Sequence, residues 1–223
     1  MSTLKRQARV TATAARKKAA YHHGELRKAL IAATLKLIPT MGVRELSLRA
    51  VARRAGVSHS ASYRHFSSKE SLLAAIAEQG FILLAEAMRN AIEADPGNSL
   101  AKLQAAGTGY VRFGVQHPHH LQIMFGGAIG RLEDYPTLVA AAKYARQQLA
   151  DIVNEGLTSG ALRSANEQLV QVAAWAIVHG LAVLMASGQI RTPAGVELSQ
   201  AEKGAMANGV TKLFCEGLAH VAV

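Results

Sequence analysis

The sequence predicts an all-α protein with a basic N-terminal third, and three observations lead there. Half of the 223 residues are apolar while only 5% are aromatic, so alanine, leucine and valine carry the packing, a composition that favours helices over strands. Apolar residues recur at helical rather than alternating spacing along most of the chain. Charge is segregated as well: residues 1–69 carry a net +13 and residues 70–223 a net −3. A basic module on a near-neutral body points to a polyanion partner, since solubility alone would not require the charge to be segregated.

Residues 1–21 are expected to form a disordered basic arm, with Lys5, Arg6, Arg9, Arg16, Lys17 and Lys18 and no acid. The first helix begins near Gly24, with Leu26, Leu30, Ala33, Leu37 and Met41 on its buried stripe. Pro39 should kink or end it near Ile38, and Gly42 should close it. Ser47 can cap a second helix, "LRAVARRAG", with Leu48, Val51 and Ala52 inward and Arg49, Arg53 and Arg54 outward; Gly56 stops it. Ser58 caps a third helix reaching about Phe66. Ser67 and Glu70 have the spacing of a capping box for a long fourth helix that ends at "DPGNS". Two short helices joined by a tight glycine turn and braced by a longer one make a helix-turn-helix module. Further helices are expected near 99–116, 118–125, 134–158, 165–188 and 197–219.

The third helix presents His59, Ser60, Tyr63 and Arg64 on one side, while Ser62 and Phe66 share the packed side. Small residues at Ser60 and Ala61 let its N-terminus approach a base edge or a phosphate. The stretch "LSLRAVARRAGVSHSASYRHFSSKESLL" resembles the DNA-binding domain of the tetracycline-repressor (TetR) family. Leu46, Ser47, Val51, Ala52, Ala55, Gly56, Val57, Ser58, Tyr63, His65, Phe66, Lys69 and Leu72 fill its pattern. The resemblance covers residues 24–72; beyond them the chain is similar to the family in length and helical layout. It implies base contacts from Arg49, His59, Ser60 and Ala61, and phosphate contacts from Ser47, Tyr63, His65 and Lys69. Tyr63 and His65 are also open to a plain packing role, and His59 to a phosphate contact instead of a base contact. Ser62 departs from the family, which usually has an apolar residue there. Either the helix is loosely packed or the serine hydroxyl bonds back to the Ser58 carbonyl.

The resemblance implies three parts: the arm at 1–21, the helix-turn-helix domain at 22–70, and a helical ligand-binding and dimerisation domain at 71–223. It further implies a homodimer on a palindromic double-stranded DNA operator, released by a small-molecule effector. Gly180, Gly188, Gly204 and Gly209 would let the last two helices approach across a two-fold axis. "WAIVHG", with Trp175, His179 and Gly180 as fixed points, resembles a signature of one branch of the family. Trp175 and His179 are candidates for a pocket wall or for a core pair. Tyr110, Phe113, His117, Met124, Phe125 and Tyr144 complete the pocket candidates, a set suited to an apolar ligand with one or two polar groups.

Other classes are disfavoured. "HPHH" (His117, Pro118, His119, His120) lacks carboxylate or thiol neighbours at ligand spacing, so loop histidines are expected rather than a metal. No nucleophile with an oriented base stands out, and neither enzyme activity nor a cofactor is expected. The longest apolar run, Val172 to Ala186, spans 15 residues broken by His179 and Gly180; a membrane helix needs about 20. Without a signal peptide, and with a single cysteine, Cys215, a cytoplasmic place is expected. A transcriptional repressor is the leading expectation; an activator or a nonspecific, nucleoid-like DNA binder is the alternative.

Overall fold

Helix caps in the sequence locate most of the architecture. The computed structural model describes residues 25–163 and 166–219, so the expected arm at 1–21 lies outside the described residues. Among the described residues nine α-helices follow one another: α1 (25–45), α2 (Leu48–Ala55), α3 (His59–Tyr63), α4 (Lys69–Ala94), α5 (Ser99–Gln116), α6 (Pro118–Phe125), α7 (Pro136–Thr158), α8 (Glu167–Ala186) and α9 (Gln200–Leu218). The described residues contain no strand, only isolated bridges at Leu162–Ala219 and Arg191–Glu197. They form two compact units, one ending at Ala75 and one beginning at Ile76.

In the first unit, α1 buries Leu30, Ile31, Ala33, Thr34 and Ile38. Leu26, Leu37 and Met41 are only half-buried, so the inward face is rotated from the expected stripe. The buried Thr34 hydroxyl stays satisfied by donating to the Leu30 carbonyl at 2.8 Å. Pro39 does not end α1, which continues to residue 45 with Gly42 at φ +73°. Proline removes one N–H from the ladder, and the Thr40 hydroxyl donates nearby to the Leu37 carbonyl at 3.0 Å.

The Ser47 hydroxyl accepts from the Ala50 N–H at the start of α2. At its end Gly56 takes φ +70°, and the N–H groups of Gly56 and Val57 return to the Arg53 and Ala52 carbonyls. That paired return is a Schellman turn, which needs a left-handed residue that glycine supplies without strain. Regular α3 is shorter than expected, His59–Tyr63. The Ser62 carbonyl accepts from both His65 and Phe66, which tightens the chain beyond it. Ser68, rather than Ser67, begins α4: its hydroxyl accepts from the Ser71 N–H at 3.0 Å and its own N–H donates to Ser71 Oγ at 3.1 Å. Ser71 thus takes the part expected of Glu70.

The second unit is organised around α5, which packs on α6, α7, α8 and α9. Three glycines permit this. A Cβ at Gly109 would lie 2.6 Å from the Ala87 carbonyl oxygen of α4, one at Gly107 would lie 2.8 Å from Thr211 of α9, and one at Gly114 would lie 2.7 Å from Ala182 of α8. Lys102 on α5 ties down α7 through both Glu155 oxygens, at 2.8 and 2.9 Å. Gly188, at φ +67°, terminates α8 and is a turn residue rather than a helix-packing one. Gly180, Gly204 and Gly209 have nothing within 4 Å of a Cβ position.

Gly109→Ala is expected to cost about 1–3 kcal/mol, because the added methyl meets backbone rather than a movable side chain. That exceeds the ~1 kcal/mol of helix propensity that alanine brings. Thermal unfolding should show a fall of several degrees, whereas Gly217→Ala, at an open position, should show none. An unchanged midpoint for Gly109→Ala would contradict the close α4–α5 crossing.

Candidate functional site

Two places gather chemistry, one in each unit. In the first, the capped α2 and α3 fix which side chains face outward. Arg49, Arg53 and Arg54 are exposed on α2, and His59, Ser60, Tyr63 and Arg64 are exposed around α3. Tyr63 is 50% exposed and meets the His59 ring edge-on at 4.8 Å, so the two rings hold each other upright. Ala61 is half-buried, and Ser58 Oγ accepts its N–H while lying 3.1 Å from Ser60 Oγ.

Ser62 is fully buried. Its hydroxyl donates to the His59 carbonyl at 2.7 Å, three residues back, rather than to the Ser58 carbonyl. The polar group at an apolar position is therefore satisfied within its own turn, and the helix is not loosely packed. Phe66 is buried beside it under the Arg27 guanidinium, 5.6 Å from the ring centre.

The remaining phosphate candidates are placed less simply. Ser47 accepts the α2 cap bond and is exposed, which leaves its O–H free to donate. His65 is half-buried. The Lys69 ammonium donates to the Arg44 carbonyl at 2.7 Å, which fixes its position while leaving two of its three N–H donors.

The second unit encloses a cavity of about 410 Å³, within the range of small-molecule sites. Its deep wall is apolar: Phe81, Leu84 and Met88 from α4, Leu103 and Ala106 from α5, and Phe214 and Cys215 from α9. Ala142, Ala145, Arg146 and Leu149 of α7 face Gln168, Gln171, Val172 and Trp175 of α8. Of the residues expected in a pocket, Tyr110, Phe125 and Trp175 line it.

His179 stands behind this wall, its Nδ1 2.9 Å from the Tyr110 hydroxyl and its ring 4.7 Å from that of Phe125. Phe113 is buried in the core, His117 lies against Phe113 at 5.3 Å, and Met124 packs beside Gly80. Tyr144 is 58% exposed, because one residue along a helix turns a side chain about 100° away from its neighbour Ala145. These four do not line the cavity. The residues missed on α7 recur at i, i+3, i+4 and i+7, and those on α9 at i, i+3 and i+4. That is a helical face visible in sequence once one anchor is known.

Burial sets the ionisation of this region. It pushes the Tyr110 phenol up to about 12, offset in part by a hydrogen bond from the Trp175 indole. It lowers His179 and His117 from their ordinary 6.5. His120 falls to about 4, first through burial and then through the charges of His117 and His119; its Nε2 lies 3.3 Å from the Gln79 side-chain oxygen. Cys215 is raised to about 11 by burial and by Glu216, which leaves it an inert thiol in the wall. Among the described residues no group of three or more histidine, cysteine or carboxylate side chains is placed to hold a metal.

The chain has recognisable relatives. The family described as "Bacterial regulatory proteins, tetR family" matches residues 30–76, and "Tetracyclin repressor-like, C-terminal domain" matches residues 103–202. No curated protein matches it. Among solved structures, a protein of unknown function from Rhodococcus sp. RHA1 is 32% identical, with TM-score 0.71 over 90% of this chain and 98% of that one. PfmR, a TetR family transcriptional regulator from Thermus thermophilus, is 20% identical, with TM-score 0.67 over 86% and 99%. The transcriptional regulator FadR from Bacillus subtilis, solved with stearoyl-CoA, is 17% identical, with TM-score 0.69 over 86% and 98%. The last two likenesses are of fold.

Because His117, His120 and His179 are held neutral in the fold, their stabilisation is complete above pH 6.5. It declines as acid protonates the unfolded chain preferentially, until the pH passes the folded values. The urea midpoint is expected to be lower at pH 5 than at pH 7, and His120→Asn should shrink that difference. Equal midpoints in the parent protein would contradict the burial of these rings.

Proposed function

The chain belongs to the TetR family of bacterial regulatory proteins, helix-turn-helix transcription regulators with a C-terminal ligand-binding domain, and on that premise we propose that it is a homodimeric repressor that a small molecule releases from a palindromic operator. The observation that carries this reading is the outward set on α2 and α3. Arg49, His59, Ser60 and Tyr63 are all exposed on two short helices whose turn is fixed by Gly56. In the proposal, Arg49, His59, Ser60 and Ala61 meet base edges, while Ser47, Tyr63, His65 and Lys69 hold phosphates. The organising parts are the arm at 1–21, the reading domain at 22–70 and the effector and dimer domain at 71–223.

Dimerisation is supported by apolar exposure on the last two helices. Val183 and Leu184 on α8 and Leu213 on α9, the last 71% exposed, leave apolar side chains on the surface of these helices. The open Gly180, Gly204 and Gly209 lie on the same helices. Among the described residues two helices, α4 and α8, are long and apolar enough to cross a membrane by composition alone; the proposed dimer would cover the apolar surface of α8 without one. The effector occupies the cavity beside Trp175. The spacing of Trp175, His179 and Gly180 supports the reading that the chain falls in the branch of the family marked by that signature. We assign it to the cytoplasm as a regulator, not an enzyme.

The test begins with genomic fragments selected by the purified protein. Two inverted half-sites about one helical turn apart are expected. On that operator Arg49→Ala should cost about 1–3 kcal/mol and relax preference at one position of each half-site. Lys69→Ala should weaken all sequences alike and lower the salt slope by about one. Equal losses on operator and random DNA for Arg49→Ala would overturn its base contact, and an unchanged salt slope for Lys69→Ala its phosphate contact.

A further inference from the structure

Polar groups in a cavity recognise a ligand only if the protein has not already used them. Most of those here are used. The Tyr110 hydroxyl is held by His179 Nδ1 at 2.9 Å. The Thr211 hydroxyl donates towards the Ala207 and Asn208 carbonyls, at 2.9 and 3.1 Å, and lies 3.2 Å from Thr108 Oγ1. The Gln171 amide donates to Glu167 at 2.8 Å. The buried end of the cavity therefore offers a ligand apolar contacts and almost no open hydrogen-bonding group.

The exposed end differs. Arg146 on α7 and Gln168 on α8 border the cavity, both are exposed, and neither side chain has a hydrogen-bond or ion-pair partner among the described residues. Arg146 is the one charged residue in the described lining, and no carboxylate joins it there; Glu167, close by in sequence, is engaged by Gln171. An unpaired guanidinium presents a planar fork of donors that matches a carboxylate or a phosphate with two parallel hydrogen bonds. At ~30 Å³ for each water-sized group, the 410 Å³ cavity holds about 14 such groups.

From these observations we propose that the effector is an amphiphilic anion: an apolar body of about a dozen carbons lies between Phe81, Phe125 and Trp175, and a single acidic head meets Arg146 and Gln168 at the rim. The proposal rests on the reading of the cavity as the effector site and names the chemistry of what enters it. Arg146 sets the charge preference, and the deep wall sets the length.

Trp175 is the sole tryptophan of the chain and lines the cavity, so its fluorescence reports occupancy without DNA. The DNA-free protein is titrated, below micellar concentrations, with dodecanoate, dodecyl phosphate, dodecanol and dodecylammonium. Dodecanoate or dodecyl phosphate is expected to bind about tenfold or more tightly than dodecanol or dodecylammonium, and whichever anion binds more tightly identifies the head group. Arg146→Gln, at an exposed position, should bring the anions to the level of dodecanol and leave dodecanol unchanged. Ala142→Phe, at a half-buried lining position, should weaken every probe.

Dodecanol or dodecylammonium binding as tightly as the anions would overturn the proposal. So would an Arg146→Gln protein that keeps the anion preference, an Ala142→Phe protein that binds every probe unchanged, or fluorescence that no probe alters. Release of a selected DNA fragment is measured separately by anisotropy. Anion binding without release would contradict the effector role and leave the assignment of the site intact.

Discussion

The approach of α5 to its neighbours at Gly107, Gly109 and Gly114 is the constraint on which the rest of the second unit depends. At each point a single methyl would meet Thr211, the Ala87 carbonyl or Ala182, so the axes of α4, α8 and α9 are set by the absence of side chains on α5. Large residues fill the intervals: Tyr110, Val111 and Phe113 are buried between those glycines. Alternation of none and large along one helix draws neighbours in at some levels and holds them off at others. On α5 the cavity is bordered by Leu103, Ala106, Gly107 and Tyr110, and Phe81, Phe125 and Trp175 wall it as well.

That geometry also explains why the cavity is selective in its polarity. Tyr110 belongs at once to the α5 packing face and to the wall, and its hydroxyl is answered by His179 from behind. Burial raises the phenol and lowers the imidazole, so both stay neutral and the pair introduces no charge into an apolar space. The sequence spacing of Trp175 and His179 at i, i+4 placed them on one face, and their rings do meet at 5.8 Å. One of the two faces the cavity and the other supports Tyr110.

Local chemistry made the helices and several of their ends legible in the sequence. Ser47, Gly56 and Ser58 act where their side chains or backbone freedom suit only a cap or a turn. The exposure of Arg49, His59 and Tyr63 follows from helical periodicity once those caps are fixed. Where adjacent residues offer the same chemistry, sequence was a poor guide. Ser67 and Ser68 can each cap α4, and the reciprocal bond with Ser71 decides for Ser68. Ser62 resolves its polarity on the His59 carbonyl, at 2.7 Å, while the Ser58 carbonyl already accepts from the Ala61 and Ser62 N–H groups. The cavity was legible only in part. Tyr110, Phe125 and Trp175 announce themselves as rings, whereas Ala142, Arg146 and Gln168 matter through which face of α7 or α8 they occupy. That phase is set by packing among four helices, which no single segment encodes.

In the proposed function, reading and sensing are served by separate groups of residues: an exposed basic surface on α2 and α3, and a nearly charge-free cavity in the second unit. The proposed function requires that the first surface read sequence rather than charge alone. The most direct measurement compares affinity for a genome-selected fragment and for its scrambled counterpart at one fixed salt concentration. A ratio of about 10³ or more is predicted for a sequence-reading regulator, and a ratio near one would contradict the account and leave only electrostatic binding.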